Sequence, residues 1–433
     1  GVVMEGRRFY PKGPLLAHVL GFSGMDGEGL EGVEHRYEPY LHGEKRMMVL
    51  QRDALGHTVF PKGMMERSPT PGHNLTLTID EVIQYIVERE LEDAVSRARA
   101  KSGTMIVLDP KTGAVLAMAV SPRFDPNAVS ALSSDRWRNR ALTDAYEPGS
   151  TMKAMVAGAA VEEGVVSTNT MVFGELGCMT VANTVIHDHE RLGWISFAQV
   201  IQKSSNIGAA KTGMALGEHR LYRYLQAFGF GQRTEIDLPG EGVGLVRDPK
   251  DWGRRSVASI SIGQEIGVTP LQMVSAVAAI ANDGMLMKPY VVSEIRDADN
   301  HILRQVPPQA KRRVISRETA RSVTKILEGV VTDGTGTHAA IPGFRVAGKT
   351  GTAQKIDPRT GAYSASRFVA SFAGYAPAGN PQLAMIVVID EPLGDTQGGA
   401  VAAPVFSRVG EQVLSYLGVP SDAPITLAMA SRQ

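Results

Sequence analysis

The stretch Tyr146-Glu147-Pro148-Gly149-Ser150-Thr151-Met152-Lys153 places a hydroxyl nucleophile and an amine three residues apart. Residues 154–161 are small and apolar, and they predict a helix that starts near Ser150 and ends before Gly164. On one helical face, the amine of Lys153 can reach the serine hydroxyl. A lysine on such a helix is poorly solvated, which favours its neutral form, and a neutral amine can take the proton of a serine.

A second motif, Ser204-Ser205-Asn206, strengthens this signal, because Ser-x-x-Lys alone is common in ordinary helices. It begins 54 residues after Ser150 and precedes the helical stretch 207–216. One interpretation is a helix N-cap, since serine and asparagine are preferred there. The functional interpretation is a hydroxyl that relays protons and an amide that orients Lys153 and a substrate backbone.

The tripeptide Lys-Thr-Gly occurs three times, so it indicates nothing by itself. Residues 111–113 fall in a predicted hairpin turn, and residues 211–213 fall inside a predicted helix. Lys349-Thr350-Gly351-Thr352 differs, because it follows the strand-like run 344–347. Its flanking glycines would let a ligand backbone approach closely, and its cation and hydroxyls suit a carboxylate.

Two rival sites are weaker. Residues 343–350 match the phosphate-loop pattern G-x-x-x-x-G-K-[ST], and Asp390-Glu391 ends an apolar strand as in an NTPase. However, the supposed loop has strand character, and no helix is predicted after it, because 351–361 contains turn residues. His187-Asp188-His189 could bind a metal, but no third ligand is placed nearby, so a polar loop is predicted.

Composition limits the function classes. The chain has 433 residues, 43% hydrophobic and 21% charged, which suits two or three globular domains. Basic and acidic residues balance at 45 each, so no nucleic-acid or anionic-membrane partner is indicated. The single cysteine, Cys178, is expected to be a small buried hydrophobe. No uninterrupted apolar run approaches the roughly 18 residues that span a bilayer.

Hydrophobic patterning predicts an α+β fold with one sheet built from both ends of the main domain. Residues 1–74 are expected to form an irregular, β-containing accessory segment, with a boundary near 69–72. The following elements are predicted: a strand at 75–79, a helix from the cap Asp80 to about Ala100, a hairpin of 104–108 and 114–120, a mostly helical region 148–284, strands at 345–347, 368–375 and 383–389, a helix at 404–417 and a loose tail from about 420.

The three motifs, in this order, resemble the signature of penicillin-binding proteins and class A β-lactamases. The chain is similar to the class B, monofunctional penicillin-binding proteins over nearly its whole length, and most similar to the division-type (FtsI-like, penicillin-binding protein 3) group. Besides the three motifs, the stretches that carry this resemblance are 8–11, 17–21, 32–34, 146–150, 200–206, 236–241, 262–264, 268–272, 389–392 and 398–400.

The resemblance implies a penicillin-binding/serine β-lactamase-like transpeptidase domain at 75–433, with a central antiparallel sheet flanked by helices. Residues 1–74 would be part of a non-catalytic pedestal. The chain would be a soluble excised piece of a protein that one helix anchors at the periplasmic face of the bacterial inner membrane. Implied partners are peptidoglycan stem peptides, β-lactam antibiotics, a membrane glycosyltransferase and other division proteins.

The resemblance also implies catalytic roles in cell-wall cross-linking, without a metal or other cofactor. Ser150 would attack the carbonyl of the penultimate D-Ala of a stem peptide, and Lys153 would take its proton. Ser204 would pass a proton to the leaving D-Ala. Asn206 would orient Lys153 and the donor peptide.

Binding roles follow for the third motif. Thr350, Gly351 and Thr352 would bind the terminal carboxylate, and Lys349 would supply positive potential. The backbone N–H groups of Ser150 and Thr352 would form the oxyanion hole.

Three rivals share the implied fold. A β-lactamase needs an added water-activating carboxylate, and no motif identifies one. A carboxypeptidase would release D-Ala without forming cross-links. A silent scaffold would have lost a motif residue, whereas Ser150, Lys153 and Lys349 are all present.

Overall fold

The computed structural model describes residues 8–43, 51–52, 55, 58–59, 71–131 and 133–423. No helix in these ranges has the length and apolar character needed to cross a membrane. Residues 69–70 of the expected boundary and 424–433 of the expected tail lie outside them. The N-terminal elements are α1 (Ala17–Leu20), α2 (Gly32–Arg36), α3 (Glu38–Leu41), β1 (Gln51–Arg52) and β2 (Thr58–Val59).

The rest of the chain contains twelve helices and fourteen strands within the described ranges. They are β3 (Asn74–Leu77), α4 (Glu81–Arg97), β4 (Ser102–Leu108), β5 (Val115–Ser121), α5 (Ser134–Trp137), α6 (Arg140–Thr143), α7 (Lys153–Glu162), β6 (Met171–Phe173), β7 (Cys178–Val181), β8 (Thr184–His187), β9 (Trp194–Ser196), α8 (Phe197–Gln202), α9 (Asn206–Leu216), α10 (Glu218–Ala227), α11 (Ser256–Ser261), α12 (Pro270–Ala281), β10 (Met285–Met287), β11 (Val292–Arg296), β12 (Ile302–Gln305), β13 (Ala310–Arg313), α13 (Arg317–Thr332), β14 (Ala347–Ile356), β15 (Tyr363–Ala376), β16 (Leu383–Asp390), α14 (Gly398–Val401) and α15 (Ala403–Tyr416).

A five-stranded antiparallel sheet in the order β14-β15-β16-β4-β5 forms the centre. Strands from the two ends of the main domain meet where Ile386 of β16 faces Ile106 of β4. The predicted α+β class, the hairpin of β4 and β5 and the sheet built from both ends are therefore confirmed. Strand β14 lies at the sheet edge, so one side of its backbone has no partner strand in this sheet.

The sheet is buried on both faces because its strands are apolar almost throughout. On one face Met105, Val387 and Phe372 pack with α4 and α15, where Phe372 meets the ring of Phe406 edge-on at 4.8 Å. The other face packs against α7 and α12, in a core that contains Ile106 and Ile386 with most of the apolar side chains of those helices. The helical layer on this second face carries the first two motifs.

Some local predictions were incomplete or wrong. Residues 8–43 hold three helices of four or five residues, and the strands of the N-terminal segment are β1 and β2. The region 148–284 includes four short strands, β6–β9, among its helices. Cys178 is exposed, not buried, because it lies in the two-stranded β7–β8 hairpin, whose side chains alternate between solvent and protein. The strands β10–β13 and helix α13 were not predicted.

The N-terminal segment packs directly on the main domain. The phenol of Tyr37 donates to Asp237 Oδ2 at 2.7 Å, and that carboxylate also accepts from the backbone of Val291 and Val292. The amide of Asn139 donates to the carbonyl of His18 at 3.1 Å. These contacts join the two parts, and the boundary at residue 74 stays a prediction.

Helix α4 supplies a stability test. Asp80 caps it as predicted, accepting from the N–H groups of Val82 at 2.9 Å and Ile83 at 3.0 Å. We expect Asp80→Ala to lower the free energy of unfolding by about 1 kcal/mol, because two helix-end donors lose their acceptor. Asp93→Ala, which removes an exposed ion pair with Arg97 on the same helix, should cost less than about 0.5 kcal/mol. Equal urea midpoints for the two variants would contradict this.

Candidate active site

The turn that carries Ser150 is held tightly from two sides. Residues Gly149–Met152 form a 3-10 turn that leads directly into α7. Gly149 has φ +53°, and a Cβ on it would lie 3.0 Å from the carbonyl oxygen of Thr352 in β14. On the other side, a Cβ on Gly263 would lie 2.0 Å from the Gly149 carbonyl oxygen. Glycine at both positions therefore lets the backbone of the turn pack between the sheet edge and the 263 loop.

Lys153 is the first residue of α7, and its side chain is fully buried. Its Nζ donates to the carbonyl oxygen of Ser204 at 2.6 Å and to Asn206 Oδ1 at 2.8 Å, and lies 3.2 Å from Ser204 Oγ. Burial lowers the pKa of Lys153 to about 7, although the negative charge of Asp188 opposes the shift. The expected desolvation of this lysine is confirmed.

The sequence predicted that the amine of Lys153 reaches the hydroxyl of Ser150, and the structure does not show this contact. Ser150 Oγ forms no hydrogen bond with any described residue, and the amine of Lys153 is directed to the second motif instead. A neutral amine has two N–H donors and one lone pair. The carbonyl of Ser204 and the amide oxygen of Asn206 occupy the donors, which leaves the lone pair free to receive a hydroxyl proton.

Ser204 Oγ stands between two lysines. It is 3.2 Å from Lys153 Nζ and 3.0 Å from Lys349 Nζ. The residue has φ +59°, a left-handed conformation that is strained for a serine and marks a special backbone position. The hydroxyl therefore links the amines of the first and third motifs, although the two lysines are 196 residues apart in the sequence (349 − 153).

Lys349 lies in β14 and is buried, with 1% of its surface exposed. Besides Ser204, its Nζ is 3.2 Å from Thr350 Oγ1 and 3.3 Å from the Thr350 carbonyl oxygen. Burial lowers the pKa of Lys349 well below its usual range, and the neighbouring charge of Lys153 lowers it further. An anion bound beside this amine would raise its pKa again and restore the positive charge.

Asn206 begins α9, and its amide is fixed on both sides. Nδ2 donates to the carbonyl oxygen of His187 at 2.8 Å, so Oδ1 points to Lys153. Ser205, not Ser204, caps the helix, since its hydroxyl accepts from Gly208 N at 2.9 Å. The capping and the functional interpretations of this motif therefore apply to different residues of the same stretch.

Thr350 and Thr352 of the third motif line the cleft from β14, and Gly351 between them packs against the turn that carries Ser150. Thr350 Oγ1 is 2.7 Å from Thr335 Oγ1, and Thr352 Oγ1 accepts from Gly398 N at 3.0 Å. A Cβ on Gly351 would lie 2.4 Å from Ser371 Oγ and 2.9 Å from the Pro148 carbonyl oxygen, so glycine is required there.

A cleft of about 590 Å³ contains side chains from all three motifs. Sequence analysis did not predict that Thr335, His338 and Gln397 belong to its wall, because no motif spacing connects them to Ser150. The wall also includes His189, Gln264 and Gly399, which the sequence singled out without placing them in a site.

The two rival motifs lie in settings that do not suit the chemistry they suggest. Lys349 and Thr350 belong to a continuous strand rather than a phosphate loop, and Lys355 pairs with Asp390 and Glu391 at 2.7 Å each. In the described part of the chain, three potential metal ligands come together at Asp297, Asp299 and His301 rather than at residues 187–189, and the latter two of them are exposed.

Comparison with known protein families supports, over most of the chain, the resemblance that the sequence motifs indicate. The family described as "Penicillin binding protein transpeptidase domain" matches residues 103–411. Stage V sporulation protein D of Bacillus subtilis is 38% identical over 96% of this chain and 65% of its own length. Peptidoglycan D,D-transpeptidase FtsI of Escherichia coli K12 is 37% identical over 98% of this chain and 69% of its own. The chain thus spans about two thirds of these relatives.

Solved structures show the same architecture. The crystal structure of penicillin binding protein 3 from Mycobacterium tuberculosis superposes with a TM-score of 0.86 at 33% identity, covering 98% of this chain and 94% of that chain. Two further structures of that protein are complexes with aztreonam and with ampicillin. The similarity includes the N-terminal part of the chain as well as the sheet and its helices.

The pKa of Lys153 provides a test of the site. A serine-directed fluorophosphonate should modify Ser150 at a rate that rises about tenfold per pH unit below pH 7 and levels off above it, because only the neutral amine accepts the serine proton. Lys153→Ala should react slowly at every pH. A rate that instead rises near the usual lysine value of 10.5 would contradict the lowered pKa.

Proposed function

This chain belongs to the penicillin-binding protein transpeptidase family, and on that premise we propose that it is a serine D,D-transpeptidase that cross-links peptidoglycan stem peptides. The observation that carries the proposal is the Ser204 hydroxyl, 3.2 Å from the amine of Lys153 and 3.0 Å from that of Lys349. This arrangement joins two buried amines through a hydroxyl that lines the same cleft as Ser150. Inhibition by β-lactams is part of the proposal, since these compounds acylate the same serine.

The first half-reaction is acylation. Ser150 Oγ bonds to the carbonyl carbon of the penultimate D-Ala and transfers its proton to the neutral amine of Lys153. The peptide C–N bond then breaks. Ser204 relays a proton from the lysine pair to the departing amine of the terminal D-Ala, so that neither buried amine keeps an added charge. Asn206 holds the Lys153 amine in place through the 2.8 Å bond to its Oδ1.

Substrate binding uses the edge of β14. Thr350, Gly351 and Thr352 receive the terminal carboxylate, and that anion favours the charged form of Lys349. The N–H groups of Ser150 and Thr352 form the oxyanion hole, where each donor contributes about 3–4 kcal/mol to transition-state stabilisation in comparable acyl-transfer sites. The close packing of Gly149 against Thr352 supports this pairing.

The second half-reaction distinguishes the proposed enzyme from its rivals. The amine of a neighbouring stem peptide attacks the acyl carbon, its C–N bond forms, and the ester bond to Ser150 breaks as the serine regains a proton. A carboxypeptidase would use water in place of the amine. A β-lactamase would hydrolyse the penicillin adduct rapidly, so a long-lived adduct would argue against that activity.

We further propose that the full protein acts in septal wall synthesis at the periplasmic face of the inner membrane, held there by a single membrane anchor. A membrane glycosyltransferase and other division proteins would be its partners. The support is the similarity to FtsI, but a comparably similar relative is named for sporulation. Depletion in growing cells distinguishes the two roles. Loss of a septal enzyme should produce filaments, whereas loss of a sporulation enzyme should leave growth unchanged.

Covalent labelling tests the acylation step. Fluorescent penicillin should label the native chain and remain bound, and Ser150→Ala should show no label, because the adduct forms on that oxygen. Lys153→Ala should fold normally and lose nearly all labelling. Ser167→Ala, at an exposed serine whose hydroxyl lies 3.1 Å from that of Thr170, serves as the matched control and should label fully. Equal labelling of the native chain and Ser150→Ala would overturn the proposal.

The carboxylate site has its own test. A D-Ala-D-Ala peptide whose terminal carboxylate is converted to an amide should acylate the enzyme about ten- to a hundredfold more slowly, because it loses charge-assisted hydrogen bonds worth about 1.5–3 kcal/mol each. Thr352→Ala should reduce this preference for the acid. Thr337→Ala, elsewhere on the cleft wall, should preserve it. The same preference in all three proteins would exclude Thr352 from carboxylate binding.

A further inference from the structure

Asp188, in the loop between β8 and β9, forms hydrogen bonds with the second motif from outside the cleft. The carboxylate of Asp188 accepts the hydroxyl of Ser205 on Oδ2 at 2.6 Å. Its Oδ1 accepts the backbone N–H groups of Asn206 and Ile207, the latter at 3.0 Å. The Asp188 N–H is fixed in turn, since it donates to the carbonyl of Gly177 at 3.1 Å. One carboxylate thus satisfies three donors at the start of α9.

His187, the residue before Asp188, adds a further hydrogen bond to the second motif. The His187 carbonyl accepts from Asn206 Nδ2, so the last residue of β8 holds the side chain of Asn206 and the next residue, Asp188, holds its backbone. With its NH₂ group held, the amide can present only its oxygen to Lys153. The His187 carbonyl therefore determines which group of Asn206 the Lys153 amine meets.

Asp188 also acts on Lys153 through its charge. Burial favours the neutral amine, and Asp188 is the group whose negative charge favours the ammonium form. Lys349 faces the same hydroxyl from β14, and burial followed by the charge of Lys153 lowers the pKa of Lys349. Among the other charged groups near this loop, Glu190 pairs with Lys203 and Glu175 with Lys211. Arg191 of the loop is exposed and has no ion pair with a described residue, and His189 lines the cleft.

We propose that Asp188 is a positioning residue that holds the Ser204–Asn206 segment against Lys153 and supplies the negative charge that this buried amine faces. The proposal rests on the proposed acyl transfer at Ser150. It explains why a carboxylate that does not line the cleft lies beside the second motif. Removing the charge while keeping the shape makes Lys153 lose its proton at lower pH, and the neutral amine becomes a weaker base.

Asp188→Asn separates the charge from the contacts. Its amide oxygen can still accept from Asn206 and Ile207, so the segment stays in place. In penicillin acylation of this variant, the acidic limb of the pH–rate profile should move to lower pH by about half a unit or more, and the plateau rate should fall. Asp188→Glu retains the charge, so its limb should stay close to the native position while its plateau falls.

Two further variants keep the test decisive. Ser205→Ala removes one contact of Asp188 together with the acceptor of Gly208 N at the start of α9, and leaves the charge of Asp188 unchanged, so the plateau should fall and the limb should stay. His189→Gln should leave the limb in place, which excludes that side chain as the source of a shift. If Asp188→Asn does not fold, the inference stands on a Ser205→Ala plateau that falls at an unchanged limb, and an unchanged plateau overturns it.

The outcomes distinguish this inference from the proposed function. An unmoved limb in folded Asp188→Asn, or a limb that moves equally in Asp188→Glu, overturns the role of Asp188 and leaves the acylation of Ser150 intact. A native chain that penicillin never acylates overturns the proposed function before any Asp188 variant is compared.

Discussion

Two lysine amines that share one serine hydroxyl impose the constraint on which the rest of this site depends. Burying Lys153 and Lys349 within reach of Ser204 leaves no solvent to stabilise two positive charges. At least one amine must therefore be neutral when no anion is bound. In the proposed reaction, the neutral amine of Lys153 acts as a base, and a bound carboxylate would return the positive charge to Lys349. The proposal thus couples activation of the nucleophile to substrate binding through the charges of these two amines.

The scaffold serves this constraint by bringing three distant segments to one point. Helix α7 presents Lys153 from an apolar core, the turn before α9 presents Ser204 in a left-handed conformation, and β14 presents Lys349 from the sheet edge. Glycines allow the segments to meet, since a Cβ on Gly149 would crowd the backbone of Thr352. The carboxylate of Asp188 then holds the middle segment, whose own helix-end donors would otherwise lack partners.

Much of this arrangement could be predicted from the sequence, because motifs and apolar periodicity are local signals. The three motifs, the Asp80 cap, the β4–β5 hairpin and the strands at 368–375 and 383–389 are local in this sense. What could not be predicted depends on tertiary contacts. Nothing near Asp188 in the sequence indicates that it binds residues 205–207, and the periodicity of a solvated hairpin does not reveal that Cys178 faces water. The direction of the Lys153 amine toward Ser204 rather than Ser150 likewise depends on a packed neighbour.

The pairing of β4 with β16 has a consequence for how the protein is made. Ile106 faces Ile386 across a separation of 280 residues (386 − 106), so the middle of the sheet joins segments synthesised far apart in time. Until residues 383–390 have been synthesised, the β4–β5 hairpin therefore keeps the hydrophobic edge of β4 unpaired. Such non-local closure is slow and exposes the waiting chain to misassociation. We therefore expect a chain truncated before β16 to be bound by chaperones and degraded, rather than to accumulate as a partly active enzyme.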